Sequence, residues 1–199
     1  AADLYDHALH ALEERDEEFP VRADQAAELL VARCGALLAA GDVASAVDAV
    51  SQLQAATLES ARLAAWATCF DGQLSMLVHP ERLDEIEIEV AAAAAKLAEL
   101  ADAAGEAKAH TVRAACLARL GRIGDCETAL DNALTAARRA REHRRVNAVL
   151  AGAPLAALWG PNPVPRAGGR CLDVVRLLRI TTDSPAVEAT STRCQAVLE

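Results

Sequence analysis

Two stretches of this 199-residue chain carry the same order of small, large and glycine positions at a constant offset of 80. Cys34, Leu37, Gly41, Val43, Ala46, Val50 and Leu53 correspond to Ala114, Leu117, Gly121, Ile123, Cys126, Leu130 and Ala133, and Arg33 corresponds to Arg113. A fixed offset of this kind marks a chain built from repeated supersecondary units, none of which can bury its apolar face alone. In the second stretch Val112, Ala115, Leu117 and Leu120 recur at helical spacing, and a second periodic run follows through Ile123, Cys126, Leu130, Ala133 and Leu134. Gly121 between the runs suits the residue just past a helix, where left-handed backbone carries no Cβ penalty. Asp125 and Glu127 then fall in the first turn of the next helix and oppose the positive end of its dipole. Both stretches read as helical hairpins.

Small–x–x–large–x–x–x–Gly, then Ala, then a large residue, resembles the tetratricopeptide repeat over Glu28–Leu53 and Thr111–Ala133. The resemblance implies an all-α chain, a right-handed superhelix (solenoid) of antiparallel helical hairpins. The expected organisation is one repeat domain over 1–199. Its hairpins fall at 24–54, 58–104, 106–137 and 141–180, with partial ones at 1–20 and 184–199. The chain starts without Met and both ends lie inside helical patterns, so it reads as a fragment of a longer polypeptide. Composition agrees: 53% of residues are hydrophobic, many of them Ala, while only 3% are aromatic, which favours closely packed helices.

The longest apolar run, Val90–Ala95, lies between Glu89 and Lys96, so no membrane span is expected. Cys34, Cys69, Cys116, Cys126, Cys171 and Cys194 are dispersed singly with no CxxC spacing. They read as reduced thiols filling small apolar sites in a cytoplasmic protein, not as disulfides or zinc ligands. Charge is uneven. Residues 1–60 hold twelve acids and three bases, whereas residues 106–199 hold nine acids and fourteen bases, within a net charge of −9. Such a gradient orients the chain towards neighbouring surfaces.

In chain order, Asp3–Glu18 reads as a helix ended by Phe19-Pro20. His7 and His10, near Asp3 and Glu14, are weighed as a metal pair and assigned to a solvated face. Leu58–Val78 carries Trp66 and Phe70 at i, i+4, the spacing of a bulky core layer. After a turn at His79-Pro80-Glu81, Glu81–Ala104 reads as the longest helix. Its buried stripe is Leu83, Ile86, Val90, Ala94, Leu97 and Ala101, and its acids Asp84, Glu85, Glu87 and Glu89 form a solvated face. Arg145–Leu158 is helical with a kink or break expected at Pro154. Trp159–Arg170 reads as a long inter-helix loop, Cys171–Ile180 as a helix, and Ser184-Pro185 as the start of the last one.

Two features are candidate partner-binding sites. One is the basic run Arg138, Arg139, Arg141, Arg144 and Arg145; the other is the Gly/Pro-dense loop with Trp159, Arg166 and Arg170. The expected partner is a protein, a peptide or a neighbouring domain of the same chain. Nucleic acid is disfavoured because aromatics for base stacking are absent near the arginines and the whole chain is acidic. No nucleophile elbow, metalloprotease, kinase or P-loop signature occurs, so neither catalysis nor a cofactor is expected.

Finally, the run ALWGPNPVPRAGGRCLDVVRLLRI, with CQAVLE beyond it, resembles the helical-repeat region of large bacterial signalling proteins. In that family a class III adenylate/guanylate cyclase domain and a STAND-type ATPase module precede the repeats. The resemblance implies a regulatory arm that senses a ligand or partner and restrains the catalytic domains. An arm of an ATP-dependent transcriptional regulator and a free-standing adaptor are the alternatives.

Overall fold

A computed structural model describes residues 2–13, 19–56, 60–181 and 184–199. Among these residues all regular structure is helical. The ten α-helices are α1 (Ala2–Glu13), α2 (Phe19–Ala40), α3 (Val43–Ala55), α4 (Ala61–Val78), α5 (Leu83–Glu99), α6 (Ala103–Arg119), α7 (Ile123–Ala140), α8 (His143–Trp159), α9 (Val164–Thr181) and α10 (Pro185–Leu198). A short 3-10 turn, Pro80–Arg82, leads into α5.

Each helix packs on the next in sequence. The even-numbered helices also touch one another in series, α2 on α4, α4 on α6, α6 on α8 and α8 on α10. Among the described residues no two odd-numbered helices approach backbone to backbone; α7 and α9 are bridged by the long Arg170 side chain, which reaches Asp131 at 2.6 Å. The even helices therefore line one side of the array, and α3, α5, α7 and α9 each wedge between two of them on the other. Alanine and cysteine at the contacts let the backbones approach. Cys34, Ala46, Ala49, Cys69, Ala109, Cys116, Ala133, Ala136 and Cys171 are all buried. All six cysteines are free and buried.

Four inter-helix turns share one geometry. Gly41 (φ 74°), Ala101 (φ 58°), Gly121 (φ 74°) and Arg141 (φ 57°) each adopt the left-handed conformation just past a helix. In each turn that residue's N–H donates to the carbonyl three back, and the following N–H donates to the carbonyl five back. The second bond is Asp42 to Leu37 at 3.1 Å, Asp102 to Leu97 at 2.9 Å, Arg122 to Leu117 at 2.9 Å and Glu142 to Ala137 at 3.3 Å. This double bond satisfies carbonyls that a helix end leaves without partners and reverses the chain in two residues.

The structure corrects several sequence expectations. Glu81–Ala104 is not one helix: α5 stops at Glu99, and Ala101 is an exposed turn residue. Asp102 ends the run by capping α6, accepting the Gly105 N–H at 2.8 Å. The longest helix is instead α2 with 22 residues, and Pro20 falls in its first turn, where a missing N–H costs nothing. The remainder of the expected first helix, 14–18, lies outside the described residues, as do 57–59 ahead of α4.

Pro154 does not break α8, which runs through it to Trp159. The expected long loop is short, because α9 begins at Val164 and carries Gly168 and Gly169 inside it. Pro163 supplies the opening carbonyl, accepting N–H groups from Arg166 at 2.9 Å and Ala167 at 3.0 Å. Glu87 is not solvated but buried, meeting Arg113 at 2.6 Å and Arg122 at 3.8 Å. Trp66 and Phe70 are core residues as expected, stacked with ring centroids 5.6 Å apart.

Candidate functional site: the inner groove and the α6–α8 slot

The even helices converge on a groove of about 740 Å³ between α2, α4, α6 and α8. Its floor is the Trp66–Phe70 stack, and two cations sit over it. The Lys108 ammonium lies 4.9 Å from the Phe70 centroid and the Arg145 guanidinium 5.1 Å from that of Trp66. Both are cation–π contacts, strengthened where water is excluded.

Asp102 fixes the Trp66 ring by accepting its indole N–H at 2.8 Å and Arg62 Nε at 2.6 Å. Burial works to raise the Asp102 carboxyl, but hydrogen bonds from Gly105, Trp66 and Arg62 outweigh it and hold the group below its ordinary range. Gly105 makes that arrangement possible. A Cβ there would lie 2.7 Å from Leu97 Cδ2 and 2.9 Å from Trp66 Nε1.

The groove's charges are not all matched. Arg62 pairs with Glu28 and Asp102, and Arg145 pairs with Glu142. Lys108 Nζ donates to Gln73 Oε1, and Arg119 reaches the Met76 sulfur and the Ala115 carbonyl. Among the described residues no carboxylate lies within ion-pair distance of Lys108 or Arg119. Burial, together with the nearby Arg145 charge, brings the Lys108 ammonium down to about 8. The thiols of Cys34 and Cys69 lie close enough to feel its charge.

Beside the groove an apolar slot of about 440 Å³ runs between α6 and α8 over α7. Thr111, Ala115 and Ala148 wall both spaces, so the two are contiguous. Leu155 and Trp159 stand at the slot with 48% and 73% of their surface exposed.

The residues singled out from the sequence do not converge on one site. Arg145 is a groove residue and Trp159 a slot residue. Arg139 is tied to Glu106 at 2.5 Å and links the neighbouring α7 and α6, whereas Arg170 reaches Asp131 at 2.6 Å and Glu127 at 3.4 Å and bridges α9 to α7. Arg138 and Arg166 are exposed, Arg141 is a turn residue, and the Arg144 side chain lies outside the described residues. Sequence reasoning missed Arg62, Gln73, Lys108 and Arg119. A signal existed: Ala104, Lys108, Thr111, Val112, Ala115 and Arg119 form one helical stripe in which only two positions are charged. Among the described residues no group of three or more His, Cys, Asp or Glu is placed to hold a metal ion. Also among them, no helix is long and apolar enough to cross a membrane.

No family model matches the chain, and no curated protein matches it.

Proposed function

We propose that this chain is a non-catalytic protein-interaction segment whose inner groove receives an acidic stretch of a partner protein or of a neighbouring domain. The observation that carries the reading is the pair Lys108 and Arg119. Two positive charges without carboxylate partners line the groove of a chain whose net charge is −9. Exposed Trp159, in the contiguous slot, adds an apolar anchor of the kind interface hot spots use. On this reading the array is a right-handed superhelix of tetratricopeptide-like hairpins. Its support is the 80-residue offset between Gly41 and Gly121, two turns of identical geometry, and the serial contact of the even helices. The narrower reading, a cytoplasmic regulatory arm of a bacterial signalling protein with ATPase and cyclase modules, rests on the resemblance of the 157–180 segment with 194–199 beyond it.

The test is binding of a fluorescent hexaglutamate peptide to the chain, followed by anisotropy at increasing salt. Binding that weakens with salt is expected, with hexalysine not bound. Lys108→Gln combined with Arg119→Gln should weaken it at least about tenfold, because each charge-assisted contact contributes about 1.5 kcal/mol or more. Arg138→Gln, on an exposed position away from the groove, is the control. Equal binding of hexalysine, or an unchanged double variant, would sink the reading.

A further inference from the structure

We propose that the α6–α8 slot is a binding site for an amphipathic anion, a medium- to long-chain carboxylate, with its head at Lys108 and Arg145 and its tail directed towards Trp159. This reading shares Lys108 with the protein-interaction reading but places the ligand's tail in the slot, outside the groove.

Three observations carry it. First, the slot has a polarity along its length. Lys108 and Arg145 each lie three residues before a wall residue, Thr111 on α6 and Ala148 on α8, and so on the same helix faces. Both helices then continue into apolar and small residues, through Ala118 on α6 and through Gly152, Leu155, Ala156 and Trp159 on α8. At Thr111 and Ala148 the slot therefore opens into the groove that holds the two cations, and its far end is greasy.

Second, the cationic end is under-neutralised. Arg145 has Glu142, but among the described residues Lys108 has only the Gln73 amide oxygen and the Phe70 ring, and Arg145 sits near enough to repel it. An arriving carboxylate supplies the missing negative charge.

Third, length decides what fits the greasy end. From Ala148 to Trp159 a helical rise of 1.5 Å per residue gives about 16 Å. That is longer than any single side chain. Thr111 supplies the slot's only hydroxyl, already donated to the Ala107 carbonyl at 2.7 Å, and no charged side chain lines it. A peptide laid along such a wall would leave its N–H and C=O groups without partners, whereas a methylene chain has none to satisfy. The volume of about 440 Å³ falls within the range of small-ligand pockets.

The experiment titrates the whole chain with octanoate, decanoate and dodecanoate below their micelle concentrations, reading tryptophan emission and calorimetry. One saturable site is expected, with affinity rising about fourfold per methylene as apolar surface is buried. Dodecanol and dodecyltrimethylammonium should bind at least tenfold more weakly than dodecanoate. Lys108→Gln should abolish the preference for acid over alcohol. Ala148→Leu, a change at an exposed helical position, should weaken dodecanoate while leaving helical circular dichroism intact. The head-group comparison is made on the unaltered chain, so it holds even if a variant fails to fold. Equal binding of dodecanoate and dodecanol, no dependence on chain length, or unsaturable uptake would overturn the proposal. Failure here with hexaglutamate still bound leaves the protein-interaction reading intact; the reverse outcome removes that reading alone.

Discussion

Gly105 shows how one missing methyl group sets a site. The nearest atoms to a Cβ at this position would be Leu97 Cδ2 at 2.7 Å and Trp66 Nε1 at 2.9 Å, both in a packed core. Gly105→Ala is therefore expected to cost about 1–3 kcal/mol through overpacking, even though alanine is the better helix former. Urea unfolding with tryptophan emission checks this, and a stabilised variant would contradict the packing described.

The thiols give a pH dependence with a definite sign. Burial pushes Cys34 and Cys116 up to about 11 and Cys69 up to about 12, from 9.0 when exposed. The folded state holds these protons where the unfolded chain loses them. Their contribution is thus complete below about pH 9 and is lost as pH rises through 11–12. Lys108 acts in the opposite direction between about 8 and its ordinary 10.5. Cys69→Ala should flatten the alkaline fall in melting temperature, and an unchanged slope would show that this thiol does not titrate as described.

At the scale of the element, the shared turn geometry matters more than the residue occupying it. Gly41 and Gly121 adopt the left-handed conformation freely, whereas Ala101 and Arg141 adopt it against a Cβ clash. Ala101→Gly should stabilise the chain by about 0.5–1 kcal/mol, and Gly121→Ala should destabilise it by a similar amount. Thermal melts of the two variants should move in opposite directions. Arginine also works between elements. Arg33 on α2 meets Asp6 on α1 at 2.6 Å, and its counterpart Arg113 on α6 meets Glu87 on α5 at 2.6 Å. In both cases an even helix reaches back to the odd helix before it, so the matched arginines are structural and not merely compositional.

For the whole molecule, the described helices contact only near neighbours along the array. Stability is then carried by the interfaces between successive units. Leu37 and Leu117, equivalent in the two matched hairpins, are both buried. Leu37→Asp or Leu117→Asp places an unpaired carboxylate in an apolar interface, a loss of at least about 4 kcal/mol. Cooperative loss of helical circular dichroism at a lowered temperature is expected for each. Unchanged melting would refute the shared register.

Helical period, the glycine turns and the Ser184-Pro185 start were legible in the sequence because each depends on residues within a turn or two of one another. So were most buried positions of α5, which follow from spacing alone. The break at Asp102 and the uninterrupted passage through Pro154 were not: Ala101 takes a left-handed conformation that disfavours a residue with a Cβ, and Pro154 sits inside a helix whose packing buries it. The groove was hidden too. Trp66, Lys108 and Arg145 lie on three different helices, and only the way α4, α6 and α8 pack brings a stacked indole, an unmatched ammonium and a guanidinium together. The sequence by itself determined the helices and their hairpins, because those are local free-energy choices. Which charges end buried, paired or without a carboxylate was decided by tertiary structure, because charge pairing and desolvation depend on distances across the array.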